Sequence, residues 1–219
     1  MLQGKTFVVT GANGALGRAV CSVARQHGAL VHELDIAFDE ATDQRHVVDL
    51  TAPEAVAGCF DAIGDFDGVF NVAGGFAMGA AAWSDDADWD FLFRINVTTL
   101  RNVLSIAVPR LLARGRGSIV NIGAYGALQG QADMSAYCAS KSTVMRITES
   151  LANEVRGQGI NVNAVLPTVI DTPANRAGMP DADPSLWVDP GDLANVICFL
   201  GSDAARAVHG ALVPVRGLS

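Results

Sequence analysis

A short apolar run, Phe7–Thr10, breaks straight into Gly11-Ala12-Asn13-Gly14-Ala15-Leu16-Gly17 and then into a helical pattern through Val20, Val23 and Ala24. No other feature constrains the fold as much. A strand that turns tightly on glycines into a helix is half of a βαβ unit, and the same alternation continues along the chain. Leu30–Leu34 reads as a second strand ending at Asp35, His46–Val48 as a third, Gly68–Val72 as a fourth and Ser118–Ile122 as a fifth. Ile160–Val165 and Ala211–Val215 complete the set. Helices are expected from Pro53 to about Ile63, from a Ser84 N-cap past Asn96, from Ser135 to about Arg156, and from Pro190 through Leu200. The fold class that follows is α/β, a single doubly wound parallel sheet flanked by helices, with residues 1–219 as one domain because no Pro/Ser-rich linker divides them. The stretch 173–190 has no clear periodicity and is expected to cover a site.

Composition excludes several classes. Hydrophobic residues make up 50% of the chain and charged ones 17%, which suits a buried sheet and argues against disorder. The net charge of −8, with no cluster of Lys and Arg, lacks the basic surface that nucleic-acid binding needs. No apolar run in the sequence reaches membrane-spanning length, and MLQGKTFVVTG leaves no room for a signal sequence before the first strand, so no membrane partner is expected. Cys21, Cys59, Cys138 and Cys198 stand far apart with no His at ligand spacing, which excludes a zinc motif and fits a reducing, cytoplasmic compartment.

The glycine loop has the chemistry of a phosphate cradle. Glycines let backbone N–H groups at a helix N-terminus approach a pyrophosphate, as in a Rossmann-type dinucleotide site. The acid that such a site uses ends the next strand. A carboxylate at Asp35 can accept both adenosine-ribose hydroxyls and repels a 2′-phosphate, and no Lys or Arg follows it before Arg45. NAD(H) is therefore favoured, with NADP(H) as the alternative.

Tyr137 and Lys141 stand at i and i+4, on one helix face. A phenol is a poor acid–base group at neutral pH, and a neighbouring ammonium is expected to favour its phenolate. These residues, with the glycine loop, Asp49, Asn71-Val72-Ala73-Gly74, Asn96 in Ile-Asn-Val-Thr, the 167–172 segment and Pro214-Val215-x-Gly217, resemble the short-chain dehydrogenase/reductase family from Gly4 to Gly217. The resemblance implies hydride transfer between a nicotinamide and a small-molecule substrate, with Tyr137 passing the proton. It implies that Lys141 holds the nicotinamide ribose and that Asn96 anchors a water leading protons to the lysine. The cofactor contacts it implies are Gly11, Asn13, Gly14, Ala15 and Leu16 in the loop, Asp49 near adenine with Leu50 beside it, and Asn71, Ala73 and Gly74 by the adenosine ribose. Pro167, Thr168, Ile170 and Thr172 would serve the nicotinamide end. Family members pair through the helices after strands four and five, which implies a homodimer or homotetramer.

The chain departs from the family at one position. The commonest members carry a catalytic Ser where this chain has Ala124, which removes a fixed donor to a developing oxyanion, worth about 3 kcal/mol in comparable sites. An acceptor that spreads its charge by conjugation suffers less. The quinonoid dihydropteridine reductase branch shares this gap and is similar in further places: Val72-Ala73-Gly74-Gly75-Phe76, Asp171-Thr172-Pro173-x-Asn175-Arg176, and Met179-Pro180-x-Ala182-Asp183-x-Ser185-x-Trp187. Asn96 and Pro214-Val215-Arg216-Gly217 look like the commoner branch instead. The alternatives are an alcohol or carbonyl dehydrogenase in which Tyr125 or another donor replaces the Ser, and a non-catalytic dinucleotide sensor. Phe76 is the candidate for stacking on a substrate. Met179 and Trp187 are either lid residues or seals on the loop, and Trp83 and Trp89 are expected to pack at a helix start.

If Tyr137 carries the proton, Tyr137→Phe keeps the ring's packing and should lower turnover by about 10²–10⁴, measured as NADH oxidation, while NADH still binds.

Overall fold

The computed structural model describes residues 1–217; the last two residues of the single domain expected from sequence lie outside it. Seven strands form one wholly parallel sheet in the order β3-β2-β1-β4-β5-β6-β7. They are β1 (Thr6–Thr10), β2 (Leu30–Asp35), β3 (Arg45–Val47), β4 (Gly68–Asn71), β5 (Gly117–Ile122), β6 (Ile160–Pro167) and β7 (Leu212–Val215). The chain starts at the centre with β1, steps outward to β3, then crosses to β4 on β1's other side. The strand order thus reverses between β1 and β4, and a crevice opens there at the strands' C-terminal ends.

Among the described residues, seven α-helices cover the sheet: α1 (Ala15–Gln26), α2 (Pro53–Ile63), α3 (Asp86–Phe93), α4 (Thr99–Arg114), α5 (Ser135–Glu154), α6 (Pro173–Gly178) and α7 (Pro190–Leu200). On one face α1 packs on α7, with Val20, Val23 and Ala24 against Leu193, Ala194 and Ile197. On the other, α2, α4 and α5 bury Phe60, Leu104, Leu111, Val144 and Leu151 against Val8, Val69 and Ile119 of the strands. The central strands are buried on both faces, which is why they read as continuous apolar runs. Stacked Phe7 and Phe70 rings, 4.5 Å apart, fill the α1/α7 layer.

Three expectations from sequence are corrected. The N-cap of α3 is Asp85, whose carboxylate accepts the Asp88 N–H; Ser84 is instead turned to accept from the Trp89 indole N–H. A carboxylate caps a helix N-terminus at least as well as a hydroxyl, so the neighbour one position on takes the role. The 173–190 stretch is not without structure: Thr172 caps the short α6 and Pro184–Leu186 forms a 3₁₀ turn. Finally, α3, a π-helical turn at Arg94–Thr98 and α4 make one continuous 29-residue helix, Asp86–Arg114, long and apolar enough by length and composition to cross a membrane. Leu92, Val97, Leu100, Val103, Leu104, Ala107 and Leu111 on this helix are buried, and its α4 part packs in the core beneath β4 and β5.

Candidate active site

Two glycines set how closely the elements around the crevice approach. Gly11 leaves β1 with φ +63°, and a Cβ there would lie 2.7 Å from the Ala73 backbone. A Cβ on Gly17 would lie 2.0 Å from the Gly11 carbonyl oxygen, so α1 can start against the loop only because position 17 has no side chain. The helix opens at Gly14 without a side-chain cap, leaving its positive end to the crevice. The hydroxyl of Thr10 fixes the facing loop by accepting the Ala73 N–H at 3.1 Å.

The crevice has a volume of about 610 Å³, within the usual range for small-molecule sites. Of the cofactor residues expected from sequence, Gly11, Gly14, Ala15 and Leu16 line its floor. Asp35, Asp49, Leu50, Ala73, Gly74 and Thr172 line the crevice as well. Asp35 is held by two backbone donors: its Oδ2 accepts the Asn13 N–H and its Oδ1 the Ala37 N–H, both at 2.9 Å. Each oxygen keeps a lone pair for a ribose hydroxyl. Asp49 accepts from the N–H and hydroxyl of Thr51, at 2.8 Å each, and these bonds hold its carboxyl below the usual range.

Other expected residues lie elsewhere. Asn71 points into the core, where its amide nitrogen donates to Asn121 at 2.9 Å and Asn121 donates on to Thr148 at 2.9 Å. Its place on a strand buried on both faces turns its side chain inward. Asn13 bonds the Ala37 carbonyl and faces an adjoining hollow rather than the crevice. Pro167 is buried at the end of β6, Thr168 donates to the Arg216 carbonyl, and Ile170 packs on the α1/α7 core, so none of the three lines the crevice.

The crevice also contains Arg18, which sequence reasoning missed. It bonds the backbone carbonyl of Asn13 and reaches the Asn13 side chain at 3.3 Å. The signal was present, because Arg18 lies at i+4 from Gly14 and therefore on the crevice face of the helix.

Lys141 and Asn96 meet behind Gly74. A Cβ on Gly74 would lie 2.8 Å from Asn96 Oδ1 and 3.2 Å from Lys141 Nζ, so the bare backbone admits both. Lys141 is 6% exposed, and its Nζ donates to the Ile122 carbonyl at 2.9 Å. Tyr137 stands one turn earlier on α5, and its ring meets the Phe76 ring edge-on with centroids 4.9 Å apart. The expected ammonium–phenolate attraction is not what the structure shows. Burial pushes the phenol up to about 12, with the Cys138 thiol adding to the effect, and pushes the lysine amine down to about 8. Sharing a helix face does not ensure contact, and desolvation disfavours both charges. Tyr137 is therefore a protonated donor at neutral pH.

Asn96 sits in the π-helical turn with both of its side-chain amide protons committed to protein groups. Its Oδ1 accepts the Gly75 N–H at 2.9 Å, and its Nδ2 donates to the Gly75 carbonyl at 3.1 Å and to the Ser140 hydroxyl at 3.0 Å. The side-chain amide thus has no donor left over for the water that the resemblance implies. Ala124 is 4% exposed and shares an apolar cluster with Tyr137, Tyr125 and Cys138.

A bare loop under an uncapped helix end, an acid at the end of β2 with lone pairs free for hydroxyls, and a buried lysine behind a side-chain-free wall together fit a nicotinamide dinucleotide. A family model described as Enoyl-(Acyl carrier protein) reductase matches residues 2–217. The chain belongs to the short-chain dehydrogenase/reductase family. It is 30% identical to 2-(S)-hydroxypropyl-CoM dehydrogenase 3 of Xanthobacter autotrophicus, over 99% of this chain and 96% of that protein. To the 3-oxoacyl-(acyl-carrier-protein) reductase of Thermotoga maritima it is 29% identical, over 99% and 98%. A Beutenbergia cavernae structure described as an NAD(P)-dependent gluconate 5-dehydrogenase, with NADP bound at low occupancy, superposes with a TM-score of 0.90 at 30% identity, covering 99% of this chain and 96% of that one. An NAD⁺-bound xylitol dehydrogenase superposes with a TM-score of 0.89 at 25% identity, covering 99% of both chains. As a short-chain dehydrogenase/reductase, the protein is a pyridine-nucleotide-dependent oxidoreductase.

The lysine gives a pH signature that needs no substrate. Its amine titrates near 8 when folded and near 10.5 when unfolded, so between those values the unfolded chain binds more protons and stability rises with pH. Below about pH 8 the full cost of burying the ammonium is present. Lys141→Met removes that group. The variant's advantage in Tm over the parent protein should therefore shrink from pH 7.5 to pH 10, measured by calorimetry on the ligand-free proteins, and a constant difference would contradict a depressed amine.

Proposed function

We propose that this short-chain dehydrogenase/reductase uses NADH to reduce a small conjugated acceptor of the quinonoid dihydropteridine kind. The observation that carries the reading is Ala124. The position where the commonest family members hold a hydroxyl donor is filled by a buried methyl group in the same apolar cluster as Tyr137. Tyr137 then donates alone, which suits an acceptor that delocalises its developing charge. Phe76, 54% exposed and edge-on to the Tyr137 ring, offers a flat apolar platform beside that donor. When bound, the nicotinamide supplies the hydride; Tyr137 supplies the proton, and Lys141, behind Gly74, is placed to hold the cofactor's ribose.

A second reading, an alcohol or carbonyl dehydrogenase, is favoured by the relatives, whose names specify hydroxyalkyl, oxoacyl and sugar or polyol chemistry. In that reading Tyr125, partly buried in the same cluster with its ring beneath the Arg216 guanidinium, replaces the missing Ser.

The preference for NADH rests on Asp35, whose carboxylate would face and repel a 2′-phosphate. Arg18 in the same crevice favours the phosphate and moderates the preference. The four free cysteines support a reducing, cytoplasmic setting. Half-buried residues along α4 and α5, Ile106, Val108, Leu112 and Ile147 among them, support pairing of two or four copies through these helices.

Titration of the parent protein should give a lower Kd for NADH than for NADPH, and Asp35→Ala should narrow the gap; equal or tighter NADPH binding in the parent removes the argument. The acceptor is tested with quinonoid dihydropterin, dichlorophenolindophenol and a panel of ketones. The parent should favour the quinonoid acceptors in kcat/KM. Ala124→Ser should shift the ratio toward ketones, by up to about 3 kcal/mol in transition-state free energy, because its hydroxyl can bond an oxyanion beside Tyr137. A parent that already prefers ketones belongs to the second reading.

A further inference from the structure

The geometry points to Ser140 as a positioning residue: its hydroxyl couples Asn96 to the backbone of Tyr137 and so sets where the proton donor stands relative to the Gly74–Gly75 loop. The inference rests on the family's hydride-transfer chemistry and not on the identity of the acceptor.

The directions of the hydrogen bonds are fixed by chemistry. Asn96 Oδ1 accepts the Gly75 N–H, so the other end of the amide is the NH₂ group, and both of its protons are committed, one to the Gly75 carbonyl and one to Ser140 Oγ. Ser140 Oγ, having accepted from Asn96, directs its single proton to the Tyr137 carbonyl at 2.8 Å. The result is one line of bonds from the loop after β4, through the π-helical turn, to the first turn of α5. Both side chains are shielded from water, Asn96 being 2% exposed and Ser140 0%. Neither can exchange a lost partner for solvent.

Three elements converge on this line, and each brings one part of the site. Gly75 follows Gly74, whose missing side chain makes room for Lys141 Nζ. The π-helical turn places Asn96 between the loop and α5. Ser140 lies between Tyr137 and Lys141 in sequence, yet Lys141 has its own anchor at the Ile122 carbonyl. Loss of the Ser140 hydroxyl removes the bond that ties Asn96 to the Tyr137 carbonyl, while Lys141 keeps its own tether. Position matters here because proton transfer depends on donor distance at the scale of a hydrogen bond, and small misplacements cost turnover. A group that positions the donor acts on the chemical step more than on cofactor binding.

The test is a double-mutant cycle of Ser140→Ala and Asn96→Ala, with turnover measured on dichlorophenolindophenol per NADH-binding site and NADH affinity measured by fluorescence. Ser140→Ala should lower kcat about tenfold or more with the NADH Kd changed less than about threefold, and the double variant should be no slower than the slower single variant. A second readout needs no acceptor: in the NADH complex, amide hydrogens over 137–141 should exchange about tenfold faster in Ser140→Ala than in the parent. Ser140→Cys, which keeps the volume with a weaker donor, should fall between the two in the exchange measurement. If dichlorophenolindophenol is not turned over, the exchange data alone decide. Unchanged exchange over 137–141 overturns the proposal, as does kcat within twofold of the parent or losses that multiply in the double variant.

Discussion

The open end of the sheet depends on how closely α1 approaches the Gly11 carbonyl. A side chain at position 17 would collide with that oxygen, and one at Gly11 would collide with the Ala73 backbone, so strand β1, helix α1 and the loop after β4 meet at one point only as bare backbone. That contact leaves the uncapped N-terminus of α1 facing the crevice. It also fixes the separation between the Asp35 end and the Gly74 wall. Moving α1 outward by the width of a methyl group would open the cradle and detach Asp35 from the Asn13 N–H that orients it.

The second constraint is the burial of Lys141. An ammonium group taken from water is costly; this one has a single fixed partner, the Ile122 carbonyl, and burial pushes its amine down to about 8. Among the described residues the phenol of Tyr137 makes no hydrogen bond, so its proton is held by desolvation rather than by a partner. The two groups are thus arranged for different tasks. One is a fixed cation behind the wall and the other a protonated donor beside the exposed Phe76 ring, and the Asn96–Ser140 line of bonds joins their surroundings.

Much of this was legible in the sequence because it depends on local pattern. Strand and helix order follows from the alternation of apolar runs, and the crevice follows from glycines placed between a strand and a helix. Asp35, Asp49, Leu50, Gly74 and Thr172 line the crevice because each lies at or just after a strand's C-terminal end. Other features of the site depend on packing. Asn71 was placed by its motif, but a strand buried on both faces sends its amide to Asn121. Arg18 is the cation near Asp35 in space, yet it lies on the preceding helix and not in the residues that follow the acid. Ser140, between two conspicuous residues, gave no sign in sequence of the partner 44 positions away.

The sequence by itself determined the parallel sheet, the dinucleotide cradle, the acid at the end of β2 and the absence of a hydroxyl at Ala124, since these are set by residue type and by neighbours close in the chain. Only the tertiary structure decided the charge states of Tyr137 and Lys141, the saturation of the Asn96 amide and the inward turn of Asn71. Each of these depends on desolvation and on hydrogen-bond partners contributed by other elements. Solvent access and bond direction are properties of packing, and one-dimensional spacing does not encode them.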